Sequence, residues 1–263
     1  MKKPLVSVVC PVYNKQSTLP QSMQSLFDQS FGDFELIMVD DASEDNSQEI
    51  ITITKEPRVK RIYLSTNEGV VNAYRTGINK ARGKYVMFHD PDDLSLPDRI
   101  EKCLNAIGDN DVVYHGLYTV SKHPDFMITS RRYHKAQPWD PKRIYTEQYI
   151  PGTIFAKTEI LKKVKFPEEA KCAWDWMHHI LLHQLGAKYV ALDEGLYEYF
   201  RFLNNSLSHD NELNGNRQAA IKWIQKYLKD KKLVKKEHKF GKGFNGFIKG
   251  KMEQSNLPKG GNL

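Results

Sequence analysis

Two groups of acidic residues stand where hydrophobic runs of the sequence end. Asp40 and Asp41 follow the run 34–39, and the segment 90–93, Asp-Pro-Asp-Asp, follows the run 84–88 and one histidine. A single such group is explained by the preference of aspartate for turns and helix caps. Two groups at strand ends favour a ligand site, because open α/β sheets bind ligands at the carboxyl ends of their strands.

Carboxylates collected at one sheet edge repel each other, so the sequence predicts a cation or a hydrogen-bond donor between them. Carboxylate oxygens, without histidine or thiolate ligands, suit Mg²⁺ or Mn²⁺ better than zinc. The cysteines, Cys10, Cys103 and Cys172, have no CxxC spacing, which argues against a thiolate zinc site and a disulfide framework. They favour a reduced, cytoplasmic setting.

Short hydrophobic runs position these acidic groups and predict strands. Each run is nearly continuous in apolar or β-branched residues, as strands buried on both faces are. The runs are 5–10, 34–39, 61–64, 84–88 and 111–115. Because helical patterns lie between them, the chain is predicted to have an α/β fold with a mostly parallel sheet.

Helices are predicted from apolar spacing and from start signals. The apolar residues of 19–27 recur at helical spacing, and Ser43 precedes an acidic first turn. A proline opens the predicted helix 97–107. A further helix over 174–185 and a strand over 188–192 are expected near the end of the regular pattern.

Length and composition limit the architecture. With 263 residues and 40% apolar composition, the chain can bury one sizeable core, and an appendage is more plausible than a second full domain. The formal net charge of +7 comes mostly from lysines near the end of the sequence. No signal peptide is predicted, and no stretch approaches the ~20 apolar residues of a membrane-spanning helix.

An ordered series of short motifs resembles the family-two glycosyltransferases, which have the GT-A fold. The matching segments are 8–14 (VVCPVYN), 29–31 (QSF), 34–36 (FEL), 39–43 (VDDAS), 67–69 (NEG), Ala73 with Arg75, 81–85 (ARGKY) and 90–93, the counterpart of the family's DxD motif. The resemblance extends over roughly residues 5–209. It implies a mixed central sheet flanked by helices, and an inverting, metal-dependent transfer of one sugar from a nucleoside diphosphate to an acceptor hydroxyl.

The resemblance also implies roles for residues at the nucleotide. Pro11, Tyr13 and Asp41 would line the nucleoside pocket, where Tyr13 stacks on the base and Asp41 accepts a hydrogen bond from a base N–H. Arg75 would lie beside the same base. This set is similar to the uridine pocket of family members, so a uridine diphosphate sugar is the expected donor.

At the diphosphate, the resemblance implies that Asp90 faces the ribose and that Asp92 holds Mn²⁺ or Mg²⁺. Asp90 and His209 are further candidate metal ligands. The metal would stabilise the negative charge that grows on the leaving diphosphate. Arg201 is the candidate phosphate ligand of the closing segment, with a surface ion pair as the alternative.

The acceptor side of an inverting site needs a carboxylate that takes the proton of the attacking hydroxyl. The resemblance assigns this role to Asp175, and a helix cap is the alternative reading. The family has an acidic pair at this point, whereas Trp174 stands before Asp175 here. Trp174 and Trp176 would either stack on a sugar ring or pack in the core.

The resemblance divides the chain into a GT-A domain and an extension. Residues 1–210 would form the domain, with a nucleotide-binding half over 1–115 and an acceptor-binding half over 116–210, of which 116–150 has no assigned pattern. Residues 211–263 are expected to form a basic helical extension. This extension would contact the inner face of the cell membrane, or be a solvated charged surface.

The implied setting is cell-surface polysaccharide or glycolipid synthesis with a glycan or lipid-linked glycan acceptor, and no nucleic-acid partner is expected. One alternative is a nucleotidyltransferase that forms sugar nucleotides, but such an enzyme has a glycine-rich basic loop where this chain has 11–14, Pro-Val-Tyr-Asn. Another is a catalytically silent nucleotide-sugar or glycan-binding protein. Binding alone does not require the base, so the presence of both Asp92 and Asp175 argues against it.

Overall fold

The computed structural model describes residues 3–122, 128–165, 174–202 and 222–234. The strands are β1 Val6–Val12, β2 Phe34–Asp40, β3 Val59–Tyr63, β4 Tyr85–Phe88, β5 Leu94–Ser95, β6 Val112–Lys122, β7 Ile128–His134, β8 Phe155–Lys157 and β9 Tyr189–Phe202. The helices are α1 Leu19–Phe27, α2 Ser47–Ile53, α3 Val70–Lys80, α4 Arg99–Ile107, α5 Thr158–Leu161 and α6 Trp174–Gln184. Residues 222–230 are also helical.

The described strands form one mixed sheet in the order β3-β2-β1-β4-β8-β6-β9-β5, and β7 pairs with β6. Strands β3, β2, β1 and β4 are parallel neighbours. The short strand β8 runs antiparallel between β4 and β6, and β6 pairs in parallel with β9. This arrangement confirms the predicted α/β fold with a mixed central sheet.

Side chains of the central strands alternate between two apolar layers. On β1 and β2, Val9 and Ile37 face a core shared with α3 and α6. Val8 and Leu36 face the opposite core, shared with α1, α2 and α4. Because successive side chains of a strand point to opposite faces, strands covered on both sides become the continuous apolar runs seen in the sequence.

The predicted strands are all present, with shifts of one or two residues at most of their ends. The last of them, β6, is longer than expected and continues to Lys122. The predicted strand 188–192 is also shorter than the observed one. Strand β9 has 14 residues, and its pairing with β6 continues far beyond the apolar start of β9. Part of the unassigned segment forms the end of β6 and β7.

The expected helix start at Ser43 is wrong. Helix α2 begins at Ser47, after Asn46 in the capping position. The Ser43 hydroxyl instead accepts the backbone N–H of Asn14 at 3.0 Å. The acidic turn after Ser43 therefore closes the loop beyond β1 and does not belong to the helix.

Two of the matched motifs and Ser7 meet around one buried carboxylate, Glu35 on β2. It accepts hydrogen bonds from the Ser7 hydroxyl at 2.7 Å and from the backbone N–H and Nε of Arg82, both at 2.9 Å. A Cβ added to Gly83 would lie 2.6 Å from the Ser7 backbone nitrogen, so only glycine permits this approach. These contacts fix the start of β4, and hence the point at which Asp90 leaves the sheet.

The described part of the basic C-terminal segment packs against the domain. Ile224 and Leu228 are fully buried in the core that α6 also covers. Lys222 and Lys226 are exposed on the same helix, 222–230. Among the described residues, no helix combines the length and the apolar character needed to cross a membrane.

Candidate active site

The carboxyl ends of neighbouring parallel strands bring both acidic groups to one edge of the sheet. Asp40, at the end of β2, lies opposite Val12, at the end of β1. Strand β4 lies parallel on the other side of β1. Asp41 and Asp90 therefore follow strands that flank β1 on either side.

Asp41 holds the loop that enters α3. Its Oδ1 accepts the backbone N–H of Glu68 at 2.8 Å, and its Oδ2 accepts that of Gly69 at 2.8 Å. Gly69 has φ of 85°, a conformation that favours glycine. Each carboxylate oxygen can accept a second hydrogen bond, so these contacts leave capacity for a ligand N–H.

The other expected nucleoside residues lie on β1 and α3. Pro11 is buried within β1, Tyr13 is 40% exposed just beyond its end, and Arg75 is exposed on α3. Asn14 has φ of 52°, a left-handed conformation that asparagine tolerates. Its side-chain Oδ1 accepts the backbone N–H of Glu44 at 2.8 Å, so the loop after β1 is closed by the loop after β2.

Asp90 is held by two tyrosines. The Tyr74 hydroxyl donates to Asp90 Oδ1 at 2.8 Å, and the backbone N–H of Asp90 donates to the Tyr197 hydroxyl at 3.0 Å. Burial first, and then the charge of Asp92, raise the pKa of Asp90 from its ordinary 3.8 to about 6. The structure thus contains the crowded negative charge that the sequence predicts.

Asp92 is paired with a cation of the protein itself. Lys15 Nζ lies 2.6 Å from Asp92 Oδ2, and the two side chains are 19% and 23% exposed. Burial alone lowers the pKa of Lys15, but the carboxylates of Asp92, Asp93 and Asp90 outweigh it and raise the pKa. The ammonium group therefore remains charged and compensates this cluster.

Asp93 connects the acidic loop to β9, which lies three positions from β4 in the strand order. Its Oδ1 accepts the backbone N–H of Phe200 on β9 at 2.8 Å. The backbone of Arg201 follows directly, so the expected phosphate ligand starts from a strand in contact with the acidic loop. His209 lies outside the described residues.

Asp175 stands in the first turn of α6. The Gln148 amide donates to Asp175 Oδ2, and the backbone N–H of Trp176 contacts Oδ1 at 3.0 Å. The charge of Asp175 also contributes to raising the pKa of Asp90. The two expected carboxylates, 85 positions apart in the sequence, therefore interact electrostatically across one site.

The two tryptophans beside Asp175 have different surroundings. Trp176 is 1% exposed and its indole N–H donates to the carbonyl of Ile144 at 2.7 Å, so it belongs to the core. The Trp174 ring lies 4.6 Å from the Tyr74 ring and 5.7 Å from the Phe88 ring, measured between centroids. Trp174 therefore packs on the tyrosine that holds Asp90.

A buried arginine, Arg99, links the strands behind this edge. Its Nη2 donates to the carbonyls of Phe88 at 3.0 Å and Thr153 at 3.1 Å, and its Nε donates to His115 at 3.0 Å. Its guanidinium carbon lies 4.6 Å from the centre of the Tyr197 ring. Arg99 therefore holds the end of β4 and the segment before β8 in one arrangement.

The residues that hold the expected carboxylates were not predicted from the sequence. They are Lys15, Tyr74, Gln148 and Tyr197. A basic residue three positions after the end of β1 is a signal that could have identified Lys15. The others carry no local signal, because their partners lie 16, 27 and 107 positions away in the sequence.

The carboxylates at this edge fit a divalent cation of the Mg²⁺ or Mn²⁺ type. The described residues contain no cluster of three or more potential metal ligands of the His, Cys, Asp or Glu type. Such cations are commonly bound by one or two carboxylates, with waters and substrate phosphates completing the coordination. The position of Lys15 beside Asp92 shows that a positive charge is favoured there.

The parallel strands, the crossover helices and the acidic loop beyond β4 together define a GT-A glycosyltransferase. The sequence profile described as "Glycosyl transferase family 2" matches residues 7–166. The chain belongs to this family. The match does not favour either the nucleotidyltransferase or the silent binding protein.

Relatives and solved structures agree with this assignment. An uncharacterized glycosyltransferase of Haemophilus influenzae is 43% identical over 64% of this chain and 68% of its own length. Staphylococcus aureus TarS 1–349 in complex with UDP-GlcNAc has a TM-score of 0.68 at 22% identity, covering 86% of this chain and 66% of that chain. The mannosyltransferase PcManGT of Pyrobaculum calidifontis, in complex with GDP-Man and Mn²⁺, has a TM-score of 0.61 at 15% identity, covering 92% and 67%. This chain thus spans about two thirds of each protein, and the structures support its fold.

Proposed function

We propose that this glycosyltransferase transfers one sugar, with inversion, from a uridine diphosphate sugar to a hydroxyl of a glycan or lipid-linked glycan. The observation that carries the proposal is that two separate elements bring Asp175 and Asp90 to one site: Trp174, next to Asp175, packs on Tyr74, whose hydroxyl donates to Asp90. Sugar transfer needs one group that helps to hold the donor and another that takes the proton of the acceptor hydroxyl. A protein that only binds the donor needs only the first of these groups.

The donor base is proposed to lie beyond the end of β1. The exposed Tyr13 ring offers a stacking surface, and Asp41 retains acceptor capacity for the N3–H of uracil. Arg75 would lie beside the same base. The complex of TarS with UDP-GlcNAc is in keeping with such a donor, although its 22% identity relates only the folds.

The diphosphate is proposed to lie against the acidic loop. Asp92, with Asp90 or His209 as further candidates, would hold Mn²⁺ or Mg²⁺, and Arg201 would bind a phosphate. The bound cation would stabilise the charge that develops on the leaving diphosphate. Lys15 would have to share or leave Asp92 when that cation binds, since both are attracted to the same carboxylate.

Asp175 is proposed as the general base. The acceptor oxygen attacks the anomeric carbon while the bond from that carbon to the phosphate oxygen breaks, and Asp175 takes the hydroxyl proton. The bonding electrons leave with the diphosphate. Because the new bond forms on the face opposite the leaving group, the configuration at that carbon is inverted.

The biological setting is proposed to be synthesis of cell-surface polysaccharide or glycolipid, next to the inner face of the cell membrane. Family membership and the exposed lysines of helix 222–230 support it. An acceptor carried by a lipid would be available only at that surface.

A panel of nucleotide sugars tests the proposal. The protein is incubated with UDP-, GDP- and CMP-linked sugars plus Mn²⁺, with and without glycan acceptors, and release of the nucleotide is measured. We expect release from a UDP-sugar, loss of it in Asp92→Ala, and no effect of Asp109→Ala, which removes an exposed carboxylate elsewhere. Absence of release from every donor, or retention of the anomeric configuration in the product, would contradict the proposal.

A further inference from the structure

A buried glutamine holds the carboxylate proposed as the general base. Gln148 is 5% exposed, and its side-chain amide donates a hydrogen bond to Asp175 Oδ2. A primary amide is neutral over the whole range in which enzymes work and cannot itself take up the acceptor proton. It can therefore orient a carboxylate without competing with it as a base.

Two further contacts of Asp175 support this arrangement. Its Oδ1 accepts the backbone N–H of Trp176 at 3.0 Å. A Cβ added to Gly152 would lie 2.9 Å from Asp175 Cβ, so the backbone before β8 packs directly on this side chain.

The segment that carries Gln148 is itself held against the acidic loop. The backbone N–H of Phe88 donates to the carbonyl of Ile154 at 2.9 Å. Arg99 Nη2 donates to the carbonyls of both Phe88 and Thr153. These contacts hold residues 153 and 154, a few positions beyond Gln148, against the end of β4.

From these contacts we propose that Gln148 is a positioning residue, which sets the orientation and the basicity of Asp175 relative to the donor. This inference rests on the proposed function of the site. An N–H that donates to a carboxylate stabilises its ionised form. Loss of the amide would raise the pKa of Asp175 and allow its side chain to rotate, so that less of it is ionised and correctly oriented.

Other charges near Asp175 act in a known direction. Among the described residues, Asp90 follows the end of β4, and the charge of Asp175 contributes to raising the pKa of Asp90. His178 and His179 lie on α6 itself. Burial lowers the pKa of both, that of His179 to about 4, so they are neutral at the pH of the assay.

The test compares Gln148→Met and Gln148→Glu with a matched control, Gln29→Met. Met removes the N–H at similar length, and Glu replaces the amide by a second carboxyl group. Gln29 is also buried, at 7% exposure, but its amide donates to the carbonyl of Leu96 at 2.7 Å, away from Asp175. The pH titration of the Asp175 carboxyl carbon is followed by NMR, beside the pH profile of sugar transfer and the affinity for UDP.

We expect both Gln148 variants to raise the pKa of Asp175 by about one unit and to shift the acidic limb of the transfer profile to higher pH. Transfer at saturating acceptor should fall about tenfold or more, while UDP affinity stays unchanged. Gln29→Met should lower thermal stability and leave the Asp175 titration at its wild-type position.

The outcomes separate this inference from the proposed function. If the Asp175 titration is unchanged in the Gln148 variants, the inference is wrong, whatever the activity. If the wild type transfers no sugar from any donor, the proposed function fails, and the NMR titration still decides whether Gln148 sets the state of Asp175. If Gln148→Met does not fold, Gln148→Ala removes the same N–H and decides the same point, whereas a carboxyl at this position would raise the pKa of Asp175 by its own charge.

Discussion

At the scale of single residues, three neighbouring aspartates have three different tasks. Asp90 is held by tyrosine hydroxyls, Asp92 by the ammonium group of Lys15, and Asp93 by the backbone of β9. Only Asp92 is both partly exposed and paired with a side-chain cation. Residue type alone does not distinguish these three roles, because the hydrogen-bonding or ionic partner of each carboxylate determines its role.

Removal of the protein's own cation should strengthen metal binding. In Lys15→Met, the positive charge beside Asp92 is lost, so Mn²⁺ no longer competes with it and should bind about tenfold more tightly without nucleotide. Calorimetric titration with Mn²⁺ measures this. Lys60→Met is the control, since its ammonium group contacts the carbonyl of Lys80 instead.

The same titration tests whether Asp92 holds the metal. Asp92→Ala should bind Mn²⁺ far more weakly than the wild type. Equal affinity in the wild type and Asp92→Ala would show that the metal does not bind through this carboxylate.

The base pocket predicts nucleotide preference. Uracil presents an N3–H to Asp41, and a mismatched base leaves a buried polar group poorly paired, which costs about 1–3 kcal/mol. UDP should therefore bind the wild type roughly tenfold to a hundredfold more tightly than GDP. Competition experiments that rank GDP equal to UDP would remove the uridine assignment.

At the scale of strands and helices, the motif residues around Glu35 explain how the site is held. Glu35 joins β1, through Ser7, to the turn before β4, through Arg82. Burial raises the pKa of Glu35, but hydrogen bonds from the Arg82 backbone, Ser7 and the Arg82 side chain together lower it below its usual 4.5. These residues therefore act on the site through the fold.

Glu35→Gln should destabilise the protein in a pH-dependent way. A carboxylate with a lowered pKa contributes stability above its unfolded pKa of 4.5, and this contribution is lost as the pH falls through the folded value. At pH 7 the free energy of unfolding should fall by about 1–3 kcal/mol. Urea unfolding at pH 7 and below pH 4 measures it, and an equal difference at both pH values would contradict this role.

The sequence was most informative where strands are buried on both faces. The apolar runs of β1, β2 and β4 predicted the strands and the sheet edge at which Asp41 and Asp90 lie. It was least informative for β7 and the second half of β9. These segments are strands because they pair with β6, and they have no continuous apolar run that would predict them. The contact of Gln148 with Asp175 was also invisible, since it depends on two segments brought together only by the tertiary fold.

At the scale of the whole molecule, the acidic loop and the exposed lysines of helix 222–230 belong to different elements. The acidic loop lies at the carboxyl edge of the sheet, while helix 222–230 presents Lys222 and Lys226 to solvent and buries Ile224 and Leu228 in the core. These lysines are thus fixed to the domain. A membrane bound through them would be held in a definite orientation to the site.

Charge reversal on this helix tests membrane contact. Each lysine near an anionic surface contributes on the order of 1 kcal/mol, so Lys222→Glu with Lys226→Glu should weaken sedimentation with phosphatidylserine vesicles by at least about tenfold. Lys55→Glu with Lys80→Glu, two exposed lysines elsewhere, is the control. If vesicle binding does not depend on the anionic lipid content, helix 222–230 is a solvated surface and not a membrane contact.

The most direct test of the central claim is the turnover of Asp175→Asn beside its affinity for UDP. Asparagine keeps the shape and the capping ability of aspartate but cannot accept the proton. We expect acceptor-dependent transfer to fall by about two to four orders of magnitude, with UDP affinity and melting temperature nearly unchanged. Turnover near the wild-type rate would show that Asp175 is only a helix cap and would contradict the proposed mechanism.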